Sequence, residues 1–154
     1  MKLFKIKNVK KLMADLLINS GFDDFLLNNF KLSTMVDIEI EGKYNKEWCE
    51  YEEEYIMWKD IKPTIYGLIK GNKTPLKLKA VMIATDKILA NNEELINNKG
   101  EDKYIINIKY EKEELSITSA ISMASFSLDN AKSKLWDGLV ESILENSGIE
   151  YEEI

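Results

Sequence analysis

Residues 58–85 read WKDIKPTIYGLIKGNKTPLKLKAVMIAT and carry the clearest structural pattern in the chain. The first part places apolar residues at helical spacing, which predicts a helix that ends at Gly71. After Pro75, apolar residues alternate with lysines from Leu76 to Ala84. This period of two predicts a half-buried strand. A helix followed by a long two-sided strand favours an α+β fold over a winding of parallel strands.

Similar patterns recur on both sides of this stretch. From Phe30 to Ile40 nearly every second residue is apolar, which predicts one long strand, or a hairpin that turns near residues 34–37. Asn8 and Asp129 are expected to cap helices with apolar stripes. Further strands are predicted at residues 3–7, 22–27, 104–110, 115–119 and 121–128, a short helix within 86–98, and a helix stop at Gly148.

The predicted fold class is therefore α+β, with an antiparallel sheet or sheets and two or three packed helices. Residues 1–154 are expected to form a single globular domain, because no linker or low-complexity tract interrupts them. The first half and the centre both run from a helix into a long strand, which suggests a weak internal duplication.

The composition is typical of a globular protein, with 45% hydrophobic residues, 31% charged residues and a net charge of −6. Cys49 is the single cysteine, so an intramolecular disulfide is impossible and a cytoplasmic location is expected. Lysines interrupt every apolar run of residues 1–19, which predicts neither a signal peptide nor contact with a membrane. The composition does not indicate an oligomeric state.

Histidine and arginine are missing from the sequence altogether. The lack of histidine excludes a Ser-His-Asp or Cys-His arrangement and histidine metal sites. The lack of arginine excludes a bidentate clamp for phosphate or carboxylate. We therefore expect no catalytic residue and no cofactor, and favour a non-enzymatic role. An enzyme that uses carboxylates and lysine with a divalent metal is the alternative, and it requires a pocket where these side chains converge.

Two segments of the chain are rich in lysine. Residues 2–11 carry five lysines and no acid, and residues 59–79 carry six lysines against Asp60. If both segments share a surface, they form a face for an anion or a nucleic acid. The alternative is that these lysines only solvate exposed surface. The residues of the predicted face are Lys10, Lys11, Lys70, Lys73, Lys77 and Lys79.

Residues 42–55 are predicted to form a loop in which aromatic and acidic side chains are mixed. Aromatic residues beside acids suggest a surface for a protein partner, or an apolar edge that fixes the loop to the core. The acids could also supply oxygen ligands to a hard cation. The candidate partner surface is Trp48, Tyr51, Tyr55 and Trp58, and the acids are Asp37, Glu39, Glu41, Glu50, Glu52, Glu53 and Glu54. Residues 151–154, YEEI, read as an acidic tail.

Three stretches of the sequence resemble a small bacterial family of unknown function that is found mainly in clostridia. They are FDDFLLNNFKLST (22–34), WKDIKPTIYGLIKGNKTPLKLK (58–79) and YIINIKYEKEELSITSAISMASFSLD (104–129), followed by the helix of Trp136. The resemblance covers most of the chain and implies no catalytic residue. The order of elements around FLLNNFKLSTMVDIEIEG (25–42) is also similar to a domain of a DNA sliding clamp, which implies paired helices on a DNA-facing surface.

Three functions follow as hypotheses. The first is a non-enzymatic cytoplasmic binding or scaffold domain that acts through a protein partner. The second is a clamp-like domain that associates with nucleic acid through the two lysine-rich segments. The third is the carboxylate and lysine enzyme with a divalent metal.

Overall fold

Seven antiparallel strands form one sheet at the centre of the structure, a computed structural model that describes residues 1–69, 73–126 and 130–154. The strands are β1 (Leu3–Ile6), β2 (Phe25–Ser33), β3 (Asp37–Glu41), β4 (Lys77–Ala84), β5 (Lys103–Glu111), β6 (Glu114–Ser122) and β7 (Tyr151–Glu153). Their order across the sheet is β3-β2-β4-β5-β6-β1-β7, so β3 and β7 are the edges. Asp37, Glu39 and Glu41 alternate with two isoleucines along the β3 edge.

Helices cover one face of this sheet. They are α1 (Val9–Leu17), α2 (Trp58–Leu68), α3 (Asp86–Leu89), α4 (Glu93–Asn97) and α5 (Ala131–Asn146). Two fully buried tryptophans attach the longer helices to the strands. The Trp58 ring lies 6.0 Å from the Phe30 ring of β2, and the Trp136 ring lies 5.6 Å from the Tyr104 ring of β5. Within the described residues no helix is long and apolar enough to cross a membrane.

Hydrogen bonds from buried groups fix the positions of these helices. The Trp58 indole donates to the Leu16 carbonyl oxygen at 2.7 Å, which joins α2 to α1. The Trp136 indole donates to the Ile105 carbonyl oxygen at 3.0 Å. The buried Ser119 hydroxyl of β6 donates to the Asp137 carboxylate of α5. Because buried polar groups must be satisfied, these bonds select one placement of each helix on the sheet.

Alternation along the strands separates the two faces. In β4 the side chains of Leu78, Ala80 and Met82 are buried under the helices, while Lys77 and Lys79 are exposed. The period of two therefore gives one apolar face and one solvent-facing face, as antiparallel sheets commonly have. The α+β class, the antiparallel sheet and the helix of residues 58–68 are confirmed.

Of the two alternatives for residues 30–40, the structure has the hairpin, and the predicted hairpin of residues 104–119 is confirmed with an unusual turn. Strands β2 and β3 pair from Ser33 opposite Asp37, which places a turn at residues 34–36. Strands β5 and β6 pair from Glu111 opposite Glu114. The two turn residues, Lys112 and Glu113, have φ of +53° and +65°. A two-residue hairpin turn of this hand favours Asn-Gly, so the lysine and glutamate occupy it at a conformational cost.

The strand predicted at residues 121–128 is wrong. Strand β6 ends at Ser122, which pairs with Lys103, the first residue of β5. Beyond that pair β5 offers no further partner, so residues 123–126 are irregular despite their alternating pattern. Residues 127 and 128 lie outside the described part of the chain, as does the predicted cap Asp129.

The expected acidic tail is also wrong, because residues 151–153 form β7 beside β1. Asn8 contributes to this arrangement rather than capping α1 with its side chain. Its amide oxygen accepts from the Glu150 backbone N–H at 2.9 Å, and its amide nitrogen donates to the Gly148 carbonyl oxygen at 3.2 Å. The helix stop at Gly148 is confirmed by its φ of +71°, a conformation that glycine adopts without strain.

Three further predictions differ in detail from the structure. The strand expected from residue 22 begins at Phe25, because residues 22–24 form a turn. The short helix expected within residues 86–98 is two helices, α3 and α4. The predicted helix end at Gly71 lies outside the described residues.

Candidate functional site

The segment between β3 and α2 is an irregular loop whose two ends are tied to the sheet. Gly42 donates its backbone N–H to Asn28 at 2.9 Å, and Ile56 donates to Gly42 at 2.8 Å. Ile56 in turn accepts from the Leu27 backbone N–H at 2.8 Å. A Cβ on Gly42 would lie 1.7 Å from the Leu27 carbonyl oxygen, so only glycine fits there. This base holds the loop, which we call the aromatic loop (residues 42–55), in a defined position.

Three aromatic side chains lie together at the outer end of the aromatic loop. The rings of Tyr44 and Tyr51 stack with centroids 3.8 Å apart and planes inclined by 9°. Trp48 lies beside them and is 83% exposed. Exposed tryptophan and tyrosine rings of this kind are the residues that dominate the binding energy of protein interfaces.

An open hollow of about 750 Å³ lies between the Trp48 ring and the end of β3. Its rim carries three carboxylates, those of Glu41, Glu47 and Glu54, against two lysines. The Lys43 ammonium lies 3.7 Å from the Glu54 carboxylate, an exposed contact that solvent weakens. Aromatic faces together with an excess of carboxylates attract a cation, because the ring quadrupole is negative above the plane.

Both tyrosines of the stack remain neutral at ordinary pH. Burial, followed by the negative charges of Asp60 and Glu53, raises the pKa of Tyr44. Burial raises the pKa of Tyr51 as well, helped by its hydrogen bond with Cys49. The protonated Tyr44 hydroxyl can therefore donate a hydrogen bond on the rim of the hollow.

The four residues of the predicted partner surface do not stay together. Trp48 and Tyr51 lie at the outer end of the aromatic loop. Tyr55 faces the opposite way, and the Lys103 ammonium lies 5.2 Å from the centre of its ring. Trp58, the first residue of α2, is fully buried against β2, so it belongs to the core and cannot contact a partner. Tyr44, which the sequence reasoning missed, takes the place of these two.

The predicted anion face is divided between the two sides of the sheet. Lys77 and Lys79 point to the open face, opposite the helices. Lys10 and Lys11 are exposed on α1, which packs on the covered side. Lys73 is exposed in the loop before β4, and Lys70 lies outside the described residues. The lysines of the two basic segments therefore do not form one continuous surface.

A cleft of about 410 Å³ lies at the end of β4, where acids and lysines meet. The Asp86 carboxylate is 2.8 Å from the Lys99 ammonium, and the Lys103 ammonium lies over Tyr55. Each of these three charges therefore has a partner within the cleft. No group of three or more acidic or cysteine side chains in the described part of the chain could hold a metal ion.

Comparison with known proteins gives a family but no activity. No curated protein and no solved structure matches the chain, so the similarity to a DNA sliding clamp is not supported. The sequence model of DUF5721, a family of unknown function, matches residues 15–152. That match spans most of the sequence, including strands β2 to β6, the aromatic loop and α5. The chain is therefore a member of the DUF5721 family.

Proposed function

We propose that this protein is a non-enzymatic cytoplasmic binding domain whose aromatic loop receives a basic segment of a partner protein. The observation that carries this proposal is the exposed Trp48 ring beside the Tyr44–Tyr51 stack, above a hollow rimmed by carboxylates. A large apolar ring exposed to water costs free energy that burial by a partner recovers.

The charge of the loop selects the partner. Residues 47–54 contain five glutamates and no lysine. A lysine or arginine side chain can lie against the Trp48 ring while its charged end reaches a rim carboxylate. Such a contact combines a cation–π interaction with an ion pair, and acidic segments of a partner would be repelled.

The fixed base of the loop favours binding in another way. The bonds from Gly42 and Ile56 to β2 hold both ends of the loop before any partner arrives. The Tyr44 backbone N–H also donates to the Glu54 carbonyl oxygen at 2.9 Å, which closes the loop across its width. A preorganised loop loses less conformational entropy on binding, so more of the contact energy appears as affinity.

Tryptophan fluorescence can test this proposal directly. Trp58 and Trp136 are fully buried, so emission from solvent-exposed indole reports Trp48. We expect a short lysine- and arginine-rich peptide to shift this emission at low salt, and a glutamate-rich peptide of equal length to leave it unchanged. Tyr51→Ala should weaken the affinity for the basic peptide about tenfold, which is the effect of losing roughly 1.4 kcal/mol at an interface hot spot.

The matched control is Tyr66→Ala. Tyr66 is 51% exposed on α2, outside the aromatic loop and its ring stack, so its removal should leave peptide affinity unchanged. Equal loss of affinity in the two variants would contradict a specific site at the aromatic loop. If the basic peptide does not bind to the wild-type protein at low salt, the proposed partner chemistry is ruled out.

A further inference from the structure

The open face of the sheet carries a row of lysines that comes from four different strands. Lys31 of β2 pairs opposite Lys79 of β4, and Lys79 pairs opposite Lys109 of β5. One strand further along, Ser116 of β6 lies between Lys109 and Lys5 of β1. With neighbouring strands about 4.8 Å apart, the four lysines span about 19 Å across the sheet. We call Lys5, Lys31, Lys79 and Lys109 the lysine row.

The lysine row is electrostatically unfavourable by itself. Like charges directly opposite each other on neighbouring strands destabilise a sheet. Lys109 and Lys5 find carboxylates at 3.4 and 3.5 Å, in Glu111 and Glu114. Within the described residues Lys31 and Lys79 have no carboxylate within ion-pair distance. An anionic ligand would relieve the repulsion at the centre of the row.

Acidic residues enclose this row at both ends. Glu39 of β3 lies opposite Lys31, and Glu152 of β7 lies opposite Lys5. Along the strands, Glu111 and Glu114 lie on one side of the row, where the Lys77 ammonium is 3.4 Å from the Glu111 carboxylate, and the neutral Asn107 and Thr118 lie on the other side. The positive charge therefore occupies a limited area with an acidic border rather than a continuous track.

We propose that the lysine row is a second binding surface, which receives an acidic patch on a partner protein. The size of the area decides between the polyanions. A nucleic acid carries regularly repeated charge, and one that follows the row across the strands would have to pass over Glu39 or Glu152. A protein patch with a few carboxylates at its centre fits inside the border, and lysines on its rim would meet the acids of this chain.

This inference goes beyond the aromatic loop, because the two surfaces have opposite charge and involve different residues. The polar row beside the lysines adds hydrogen-bond donors to the surface. Asn29 already uses its amide nitrogen, which donates to the Glu39 carboxylate at 3.1 Å. That bond holds the acidic border in place instead of letting Glu39 fold over Lys31.

The test uses the whole chain, a synthetic polyglutamate peptide and a duplex DNA of similar total charge. We expect polyglutamate to bind at low salt and to perturb backbone amide resonances of β2, β4 and β5. The triple variant Lys31→Gln, Lys79→Gln and Lys109→Gln should lose at least tenfold in affinity. The matched control removes three exposed lysines from the helix-covered side, Lys10, Lys11 and Lys59, each replaced by Gln.

Unchanged polyglutamate affinity in the control triple, with unchanged circular dichroism in both triples, would support the proposal. Equal losses in the two triples would overturn it in favour of net charge alone. Tighter binding of duplex DNA than of polyglutamate would overturn it in favour of a nucleic acid. Self-association that disappears in the lysine-row triple would overturn it in favour of a second copy of this chain, bound through its aromatic loop. No polyglutamate binding at low salt would overturn it altogether.

Discussion

The two faces of the sheet are made by the same strands and have opposite properties. The covered face carries Leu78, Ala80 and Met82 of β4 under the helices, and the open face carries Lys77 and Lys79 between them. Burial of the first set supplies the hydrophobic stabilisation of the fold. The second set adds little to stability and is therefore free to serve binding. The direction of alternate side chains therefore separates the residues that stabilise the fold from those proposed to bind a partner.

The largest expected change in stability is that of Trp136→Ala, on the covered side of the sheet. Trp136 is fully buried, and its loss removes the Tyr104 ring contact and the hydrogen bond to Ile105. We expect the free energy of unfolding in urea to fall by about 3–5 kcal/mol. Trp48→Ala is the control, because loss of an exposed side chain should change the free energy of unfolding by less than about 0.5 kcal/mol. Similar losses in both variants would refute the division into covered and open regions.

A smaller loss is expected for Leu139→Ala in α5. The leucine packs in the core cluster but keeps 9% exposure, so the cost should be about 2–3 kcal/mol, in the lower part of the range for buried leucine. Leu68→Ala, at 39% exposure on α2, should cost less than about 1 kcal/mol. Chemical denaturation of both variants measures the difference, and a reversal of their order would place α5 at the periphery.

The turn between β5 and β6 belongs to neither face, so it offers a stabilising change that leaves both intact. Replacing Lys112 by Asn and Glu113 by Gly supplies residues that adopt positive φ with less strain. We expect a gain of about 1 kcal/mol in thermal or urea unfolding. A loss of stability instead would show that one of the replaced side chains makes a compensating interaction.

The pH dependence of stability tests the contribution of Tyr151, which lies at the edge of the covered face. Burial, followed by its hydrogen bond with Glu145, raises the pKa of Tyr151 to about 12. Because the folded pKa exceeds the unfolded value of about 10, this contribution is present below pH 10 and is lost as the pH rises towards 12. Tyr151→Phe should cost about 0.5 kcal/mol near neutral pH. The free energy of unfolding, measured from pH 9 to 12, should then fall less steeply with pH in the variant than in the wild type.

The smallest effect is expected on the open face. Lys79→Thr removes two cross-strand repulsions, with Lys31 and Lys109. We expect stability to rise by about 0.2–0.5 kcal/mol at low ionic strength, and the gain to shrink at high salt because screening weakens the repulsion. A loss larger than about 1 kcal/mol would show that Lys79 supports the fold after all.

The fold was predictable wherever the pattern is local. Alternation and turn residues gave β4 and both hairpins, and helical spacing gave α2 and α5. Strand β7 was missed because its three residues have no period of their own, and it forms only because β1 offers an edge. The false strand after residue 122 has the pattern of a strand but no partner to pair with.

The candidate site was predictable to a lesser extent, since it depends on contacts between distant residues. Trp48 and Tyr51 were found from their aromatic and acidic neighbours, but the stack with Tyr44 follows from the closed loop. The lysine row brings together residues 5, 31, 79 and 109, so it follows from strand order and register. No window of the sequence contains that information.

Both outer strands of the sheet are poor templates for growth. Strand β7 has only three residues, and β3 alternates isoleucine with Asp37, Glu39 and Glu41. A second sheet docking beside β3 would bring rows of carboxylates together, which is the charged-edge device that keeps natural sheets from polymerising. Neutral residues at those three positions should therefore make this edge more prone to pair with the sheet of another molecule.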